Sequence, residues 1–440
     1  MGVTEPDLLM ATKLGRIATL SRDDIHLEFK WLMPHFSLDN LASCFNELDG
    51  KKAVGIDGKT KDEYGQNLES NLQGLVSRMK ALTYRAEPVR QVLIPKGNGK
   101  HRPLGISNIE DKIVQSMFCK ILESIYDPIF RDSSYGFRRK RSTHLAIKDT
   151  IEHLRFNNVK TVIDVDLENF FGTIRHKDLL SMLALKIKDK RFLRYIARML
   201  KAGALIDGEV IRQEVGLPQG SIMSPVLANI YAHYAIDLWF EKVVPRHVVG
   251  KVNIFRYCDD FVICCTDTRD VDKVLRSLNN RLDKFGLNLN LDKTKRVEFN
   301  RYTFERGRQQ GCFDFLGFTF YIARARNGGF TTIKVKTSKK TLREKLCNVS
   351  CWVKLNRWKG HLQQIWQIFC RKLQGHIVYF GVTNNSKSLH QFLHGARRIF
   401  FNWMNRRSQK RSFNWAQFSQ LERQFPMPAV KIYHSVYYSR

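Results

Sequence analysis

Three aspartates offer the sharpest chemistry in this sequence. Asp259 and Asp260 are neighbours in Tyr257-Cys258-Asp259-Asp260, between the apolar runs 252–256 and 261–265, and Asp166 stands near the end of a third run, 161–167. The β-branched and aromatic content of these runs makes each a buried strand. The pair therefore falls in a tight turn between two strands, and Asp166 falls at a strand end. A lone Asp-Asp turn is ordinary, because Asp is a common turn residue. Here Phe255, Phe261, Val262 and Ile263 place it inside a buried hairpin, where two carboxylates without cations repel each other and resist burial. Magnesium prefers such hard oxygen ligands. Two ions about 3.5–4 Å apart activate a hydroxyl for in-line attack on a phosphoryl group and stabilise the leaving pyrophosphate, which is the chemistry of nucleotide addition.

Holding these acids requires a sheet backed by helices. Alternation around Pro95-Lys96-Gly97-Asn98-Gly99-Lys100 predicts a β-hairpin over 89–106, Asn-Gly being a strong hairpin signal, and Ile206-Asp207-Gly208-Glu209-Val210 signals a second. Helical spacing is expected over 109–129, 143–157, 177–201 and 271–285. The loop Gly216-Leu217-Pro218-Gln219-Gly220 leads into a helix with Ser224 as N-cap and Pro225 at its first position, running to about 242. Strands are also expected at 288–291, ahead of Lys293, and over 313–323. The stretch 41–64 reads as helical around the turn Gly55-Ile56-Asp57-Gly58, the first 35 residues as a short adaptor or frayed helix, and everything beyond about 337 as helix. This order of elements gives an α+β fold.

Charge narrows the partners. The 440 residues carry a formal +31, which is tolerated chiefly where a polyanion binds. From 336 to 440 there are 20 Lys and Arg against the two acids Glu344 and Glu422, so a quarter of the chain holds +18 of that charge. Trp352, Trp358, Trp366, Trp403 and Trp415 are interleaved there with Lys354, Arg357, Lys359, Arg371 and Arg397, as expected of a helical core whose surface grips phosphates. A solvated basic face is the plainer alternative, but such faces usually mix both signs. Nine cysteines contain no Cys-x-x-Cys pair, which argues against a disulfide framework or structural zinc. No charged-then-apolar leader opens the chain and no apolar run reaches membrane-spanning length, so a cytoplasmic protein with no membrane partner is expected.

At this point the sequence resembles reverse transcriptases, specifically those encoded by group II introns. Tyr257-Cys258-Asp259-Asp260 resembles their Tyr-x-Asp-Asp turn, Val165-Asp166-Leu167-Glu168-Asn169-Phe170-Phe171 their first catalytic block, 216–225 their Leu-Pro-Gln-Gly block, and Phe313-Asp314-Phe315-Leu316-Gly317-Phe318 their primer-side strand. Residues 95–106 and Ser134-Tyr135-Gly136-Phe137-Arg138 resemble their fingers. The likeness runs in the family's order over about 37–435.

The resemblance implies a right-hand polymerase: an N-terminal extension and start of the fingers over 1–85, a fingers and palm core over 86–335, and a basic all-α thumb or maturase domain over 336–440. It implies Asp166, Asp259 and Asp260 as ligands of two Mg2+ ions, with the Leu167 carbonyl as an extra ligand and Mn2+ able to substitute. Lys96 and Arg102 would hold the incoming triphosphate, and Gln219 would lie against its sugar and base edge. Phe171 stands at the position whose ring would collide with a ribose 2′-hydroxyl, favouring dNTPs; Phe170 is the better core residue. Lys293 would neutralise phosphate or give a proton to pyrophosphate, while Leu316, Gly317 and Arg138 would meet primer and template.

Implied partners are an RNA template, a DNA or RNA primer, dNTPs and a structured intron RNA. Gly172, where the family often has Asp, and Arg139-Lys140, where it often has Pro-Gly, depart from the pattern. No Cys- and His-containing endonuclease spacing follows the basic segment, so that appendage is not expected. Two other readings remain: a domesticated reverse transcriptase in phage defence or DNA repair, and an RNA-binding splicing maturase with a dispensable polymerase core.

Overall fold

The computed structural model describes residues 5–95, 101–206, 208–212, 214–325, 328–407 and 414–437. Its strands are β1 (Val89–Pro95), β2 (His101–Ile106), β3 (Thr161–Glu168), β4 (Ala204–Ile206), β5 (Glu209–Ile211), β6 (Val252–Tyr257), β7 (Asp260–Cys265), β8 (Asn288–Leu289), β9 (Lys295–Glu298), β10 (Phe313–Phe315), β11 (Phe318–Arg324) and β12 (Thr331–Thr337). They form three sheets. The central one has the order β6-β7-β3-β8 with β9 also on β3, a second has the order β2-β1-β4-β5, and the third is β10-β11-β12.

The central sheet works because its strands alternate with period two. Ile163, Val165 and Leu167 of β3, with Phe261, Ile263 and Cys265 of β7, face a large core shared with the helices Ile109–Tyr126, His176–Lys186, Lys190–Leu200 and Asp270–Lys284. The opposite face begins with Val162, Val262 and Cys264, which join a second core with Phe313, Phe315, Phe318 and Phe320 of the β10–β11 hairpin and Phe380 and Leu389 of the C-terminal helices. Along that face the apolar residues give way to Asp164 and Asp166 on β3 and to Asp260 on β7. A third core lies wholly in the C-terminal region, around Val353, Trp366, Phe369, Phe400 and Phe418. It is built by the helices Lys339–Asn356, Leu362–Phe380, Ser386–Met404 and Trp415–Gln424.

Several sequence expectations are revised. The opening residues form a full helix, Glu5–Asp23, that buries Met10, Leu14 and Ile17 in the main core, so the N-terminal stretch shares its core with the central sheet. The expected helix over 177–201 is two, because Asp189 caps the second: its Oδ1 accepts from the Arg191 and Phe192 amides, and its Oδ2 accepts from the Leu32 and Met33 amides. Ser224 is the first helical residue and turns its hydroxyl to the Pro218 carbonyl at 2.8 Å instead of capping. The expected strand over 313–323 is a hairpin, folded at Leu316 (φ +53°) and Gly317 (φ +82°). β12, which extends that hairpin, follows Asn327-Gly328 in the sequence, a strong hairpin signal that the sequence reading passed over.

Candidate active site

Strand register creates the acid cluster. β3 and β7 pair antiparallel with Asp166 opposite Asp260 and Asp164 opposite Val262, so two carboxylates stand side by side on one face. Like charges directly opposite one another destabilise a strand pair. Asp259 follows in the two-residue turn that joins β6 to β7, where Tyr257 pairs with Asp260 and Cys258 takes φ +63°. Burial, with Asp164 and Asp259 close by, pushes the Asp260 carboxyl up to about 7; a backbone hydrogen bond from Leu316 works against this. Burial likewise raises Asp164 to about 6, opposed by Lys295 and assisted by Asp314 and Asp166.

Of the three catalytic candidates, Asp166 alone has a cationic partner among the described residues, the Lys293 Nζ at 2.9 Å from its Oδ2. No three His, Cys, Asp or Glu side chains converge on one point among the described residues. The three acids line a shared edge. That edge suits hard divalent cations: its donors are all oxygen, and its crowding of half-buried carboxylates is what a cation would relieve. The Leu167 side chain is hydrocarbon and buried in the main core, so any ligand from this residue would be its backbone carbonyl.

Other expected site residues assemble in part. Arg102 on β2 donates from Nε to Gln219 Oε1, and the Gln219 carbonyl accepts from the Gly105 amide at 2.6 Å, so the hairpin and the Leu-Pro-Gln-Gly loop are bound together. The same loop reaches the β3 end, since the Leu217 amide donates to the Phe171 carbonyl at 2.7 Å. Phe170 is buried in the core, and Phe171 is half-buried, packed against the same core and edge-on to Phe170. Leu316 reaches Asp260 through its backbone, and its carbonyl accepts from the Tyr379 hydroxyl at 3.3 Å, joining the β10–β11 turn to a C-terminal helix. Lys96 lies outside the described residues.

Arg138 is used differently from the sequence expectation. Its side chain is 6% exposed and spends its donors on Asp127, both carboxylate and carbonyl, and on the Arg131 and Ser134 carbonyls. It brackets the loop 127–138 from within and presents little to a nucleic acid.

Residues 94–320 match the family described as reverse transcriptase (RNA-dependent DNA polymerase). The chain belongs to the reverse transcriptase family. It is 40% identical over 246 residues to the group II intron-encoded protein LtrA of Lactococcus lactis subsp. cremoris, covering 54% of this chain and 41% of that protein. Protein YkfC of Escherichia coli strain K12 is 32% identical over 309 residues, or 63% of this chain and 78% of YkfC. The putative COX1/OXI3 intron 1 protein of Saccharomyces cerevisiae is 29% identical over 307 residues, or 59% and 36%. The chain thus spans less than half the length of LtrA. These relatives align it with the group II intron branch of the family.

The matched residues carry the palm-and-fingers fold of polymerases, and the structure mixes helices with three sheets in an α+β arrangement. Members of the family use divalent metals and bind nucleic acid. No helix among the described residues is long and apolar enough to cross a membrane. Sequence reasoning passed over three residues that shape this acid cluster. Asp164 could have been found from its period-two spacing to Asp166. Gly136 packs against the Cys258-Asp259 turn, and Arg256, a charge inside an apolar strand, is entirely buried beside Asp237.

Proposed function

We propose that this chain is an RNA-directed DNA polymerase that extends a DNA or RNA primer on an RNA template, and that it also binds and helps splice the intron RNA that encodes it. The observation that carries the polymerase reading is the β3–β7 register, which sets Asp166 beside Asp260 with Asp259 one residue away in the turn. Asp166, Asp259 and Asp260, with the Leu167 carbonyl, would hold two Mg2+ ions, Mn2+ being able to replace them. Bound there, the ions would activate the primer 3′-hydroxyl and stabilise the departing pyrophosphate.

The remaining roles belong to the chain's own side chains. Arg102, with Lys96, would grip the triphosphate through charge-assisted hydrogen bonds. Gln219, fixed by Arg102 and by the Gly105 amide, would support the sugar and base edge. The Phe171 ring would exclude a 2′-hydroxyl. Lys293 would leave Asp166 to neutralise the phosphates or pass its Nζ proton to pyrophosphate. Leu316 and Gly317 would steady the primer end next to Asp260. The splicing half of the reading is supported by the names of the intron-encoded relatives and by the basic C-terminal helices.

The test is primer extension on matched RNA and DNA templates with Mg2+, supplying either dNTPs or rNTPs, alongside Asp259→Ala. DNA product on RNA template is expected from the parent chain. The variant should lose orders of magnitude in rate, since a metal ligand is removed. Wild-type rate in Asp259→Ala would defeat the catalytic assignment. Tight RNA binding without any product would favour the maturase with a dispensable polymerase core.

A further inference from the structure

Directly behind the catalytic turn lies a charge that contacts no solvent. The side chains of Arg256, on β6, and of Asp237 are both 0% exposed. A guanidinium has five N–H donors, and here all five are used. Nε donates to Asp237 Oδ1 at 2.7 Å; Nη2 donates to Asp237 Oδ2 at 2.5 Å and to Ser134 Oγ at 2.7 Å; Nη1 donates to the Cys258 carbonyl at 3.0 Å and to Asn229 Oδ1 at 3.3 Å. Backbone bonds reinforce the cluster: the Arg256 amide donates to the Ser133 carbonyl, and its carbonyl accepts from the Tyr135 amide. Asn229 also donates to the Gly136 carbonyl at 2.7 Å.

Three separate segments therefore converge on one guanidinium: the strand and its turn, 133–136, and the helix Ser224–Ala232 with the π-helical stretch His233–Asp237 that continues it and delivers Asp237. Single π-turns often mark functional positions. Stability alone explains this poorly, because a buried ion pair exchanged for apolar residues of similar volume often costs nothing. What the pair does uniquely is hold the carbonyl of Cys258, a residue kept at φ +63°, where non-glycine residues are rare.

We propose that Arg256, braced by Asp237, is a positioning residue for the catalytic turn. By fixing the Cys258 carbonyl it sets the plane of the Cys258–Asp259 peptide, and so the direction in which Asp259 presents its carboxylate to divalent cations. Arg256 touches no reactant, and its role rests on the metal-dependent reading of the site.

The experiment uses the full chain as wild type, as Arg256→Lys, and as the apolar double variant Arg256→Met with Asp237→Leu. Mn2+ binding is followed by electron paramagnetic resonance on a complex with a chain-terminated primer, its RNA template and the next dNTP. Thermal midpoint, template–primer affinity and the Mg2+ dependence of extension are measured in parallel. The double variant should fold and bind template–primer as the parent does, but bind Mn2+ about 10- to 100-fold more weakly, with its Mg2+ requirement for extension shifted in step.

Arg256→Lys keeps the charge but not the planar fork, so it should shift in the same direction and decides the matter should the double variant fail to fold. Parent-like Mn2+ affinity in the folded fraction of these variants would reduce the pair to a structural one and overturn the proposal. Should the wild-type chain bind Mn2+ yet extend no primer, the polymerase reading fails, and the Mn2+ comparison still decides this one.

Discussion

A methyl group on Gly136 would sit 2.7 Å from the Cys258 amide nitrogen, 3.1 Å from the Tyr257 carbonyl carbon and 3.3 Å from the Cys258 Cβ. The first two are backbone atoms of the turn that carries Asp259, so nothing there can swing aside. Gly136→Ala should cost about 1–3 kcal/mol of stability, as overpacking does, and should slow extension by more than the lost folded fraction explains. Denaturant midpoints and single-turnover extension rates on the same preparation check this. An alanine variant with parent-like stability and rate would mean that the turn yields freely. The three aspartates were legible in the sequence because their types and spacing are local. The partners of Gly136, Arg138 and Arg256 were not, because each depends on segments far apart in the chain that meet only in the fold. Arg138 illustrates the limit: one arginine in a basic loop looks like its neighbours until Asp127 and three backbone carbonyls are seen to consume its donors.

Among the elements, period-two strands and capped helices were read well, while breaks set by tertiary contacts were missed. The division at Asp189 is of this kind, since the same carboxylate that caps one helix also receives the amides of Leu32 and Met33. The turn at Leu316 and Gly317 is another, because a leucine at φ +53° is not a residue from which a turn is inferred. The helix Ile109–Tyr126, by contrast, was placed correctly at its start, and it carries a titratable group in its first turn. Asp111 is 3% exposed and accepts from the Tyr84 hydroxyl and the Glu87 amide.

Burial pushes the Asp111 carboxyl up to about 7, although both hydrogen bonds pull it down. Its folded value thus exceeds its ordinary one near 4. Between those limits the folded chain keeps a proton that the unfolded chain releases, so the contribution is fully present below about pH 4 and is lost as pH rises through about 7. Asp111→Asn retains the acceptor and abolishes the titration. Relative to this variant, the wild type should lose stability between pH 5 and pH 8, by at most about 3 kcal/mol, because about two pKa units of the shift lie in that window. Urea midpoints at the two pH values measure it. A constant difference would mean that Asp111 is ionised throughout and paired better than its burial suggests.

For the whole molecule, the charge asymmetry and the three cores combine into one prediction. The second core runs from the central sheet through the β10–β11 hairpin to Phe380 and Leu389, so the basic C-terminal helices are anchored to the sheet that holds the acids. The cleft between the hairpin turn and those helices is lined by Leu316, Gly317, Lys345, Trp352, Lys372 and Tyr379. Both lysines are exposed, and Lys372 lies over the Trp352 ring at 5.3 Å. A duplex whose primer end rests at Asp260 would run out past them.

If these lysines meet phosphates, affinity for template–primer should fall steeply with salt, and Lys345→Gln with Lys372→Gln should reduce the slope of log affinity against log salt by about 1–2 while weakening all sequences alike. Fluorescence anisotropy across a salt series, on two duplexes of unrelated sequence, gives both quantities. An unchanged slope in the double variant would move the duplex off this cleft. A sequence-dependent loss would show that the lysines read bases as well as backbone.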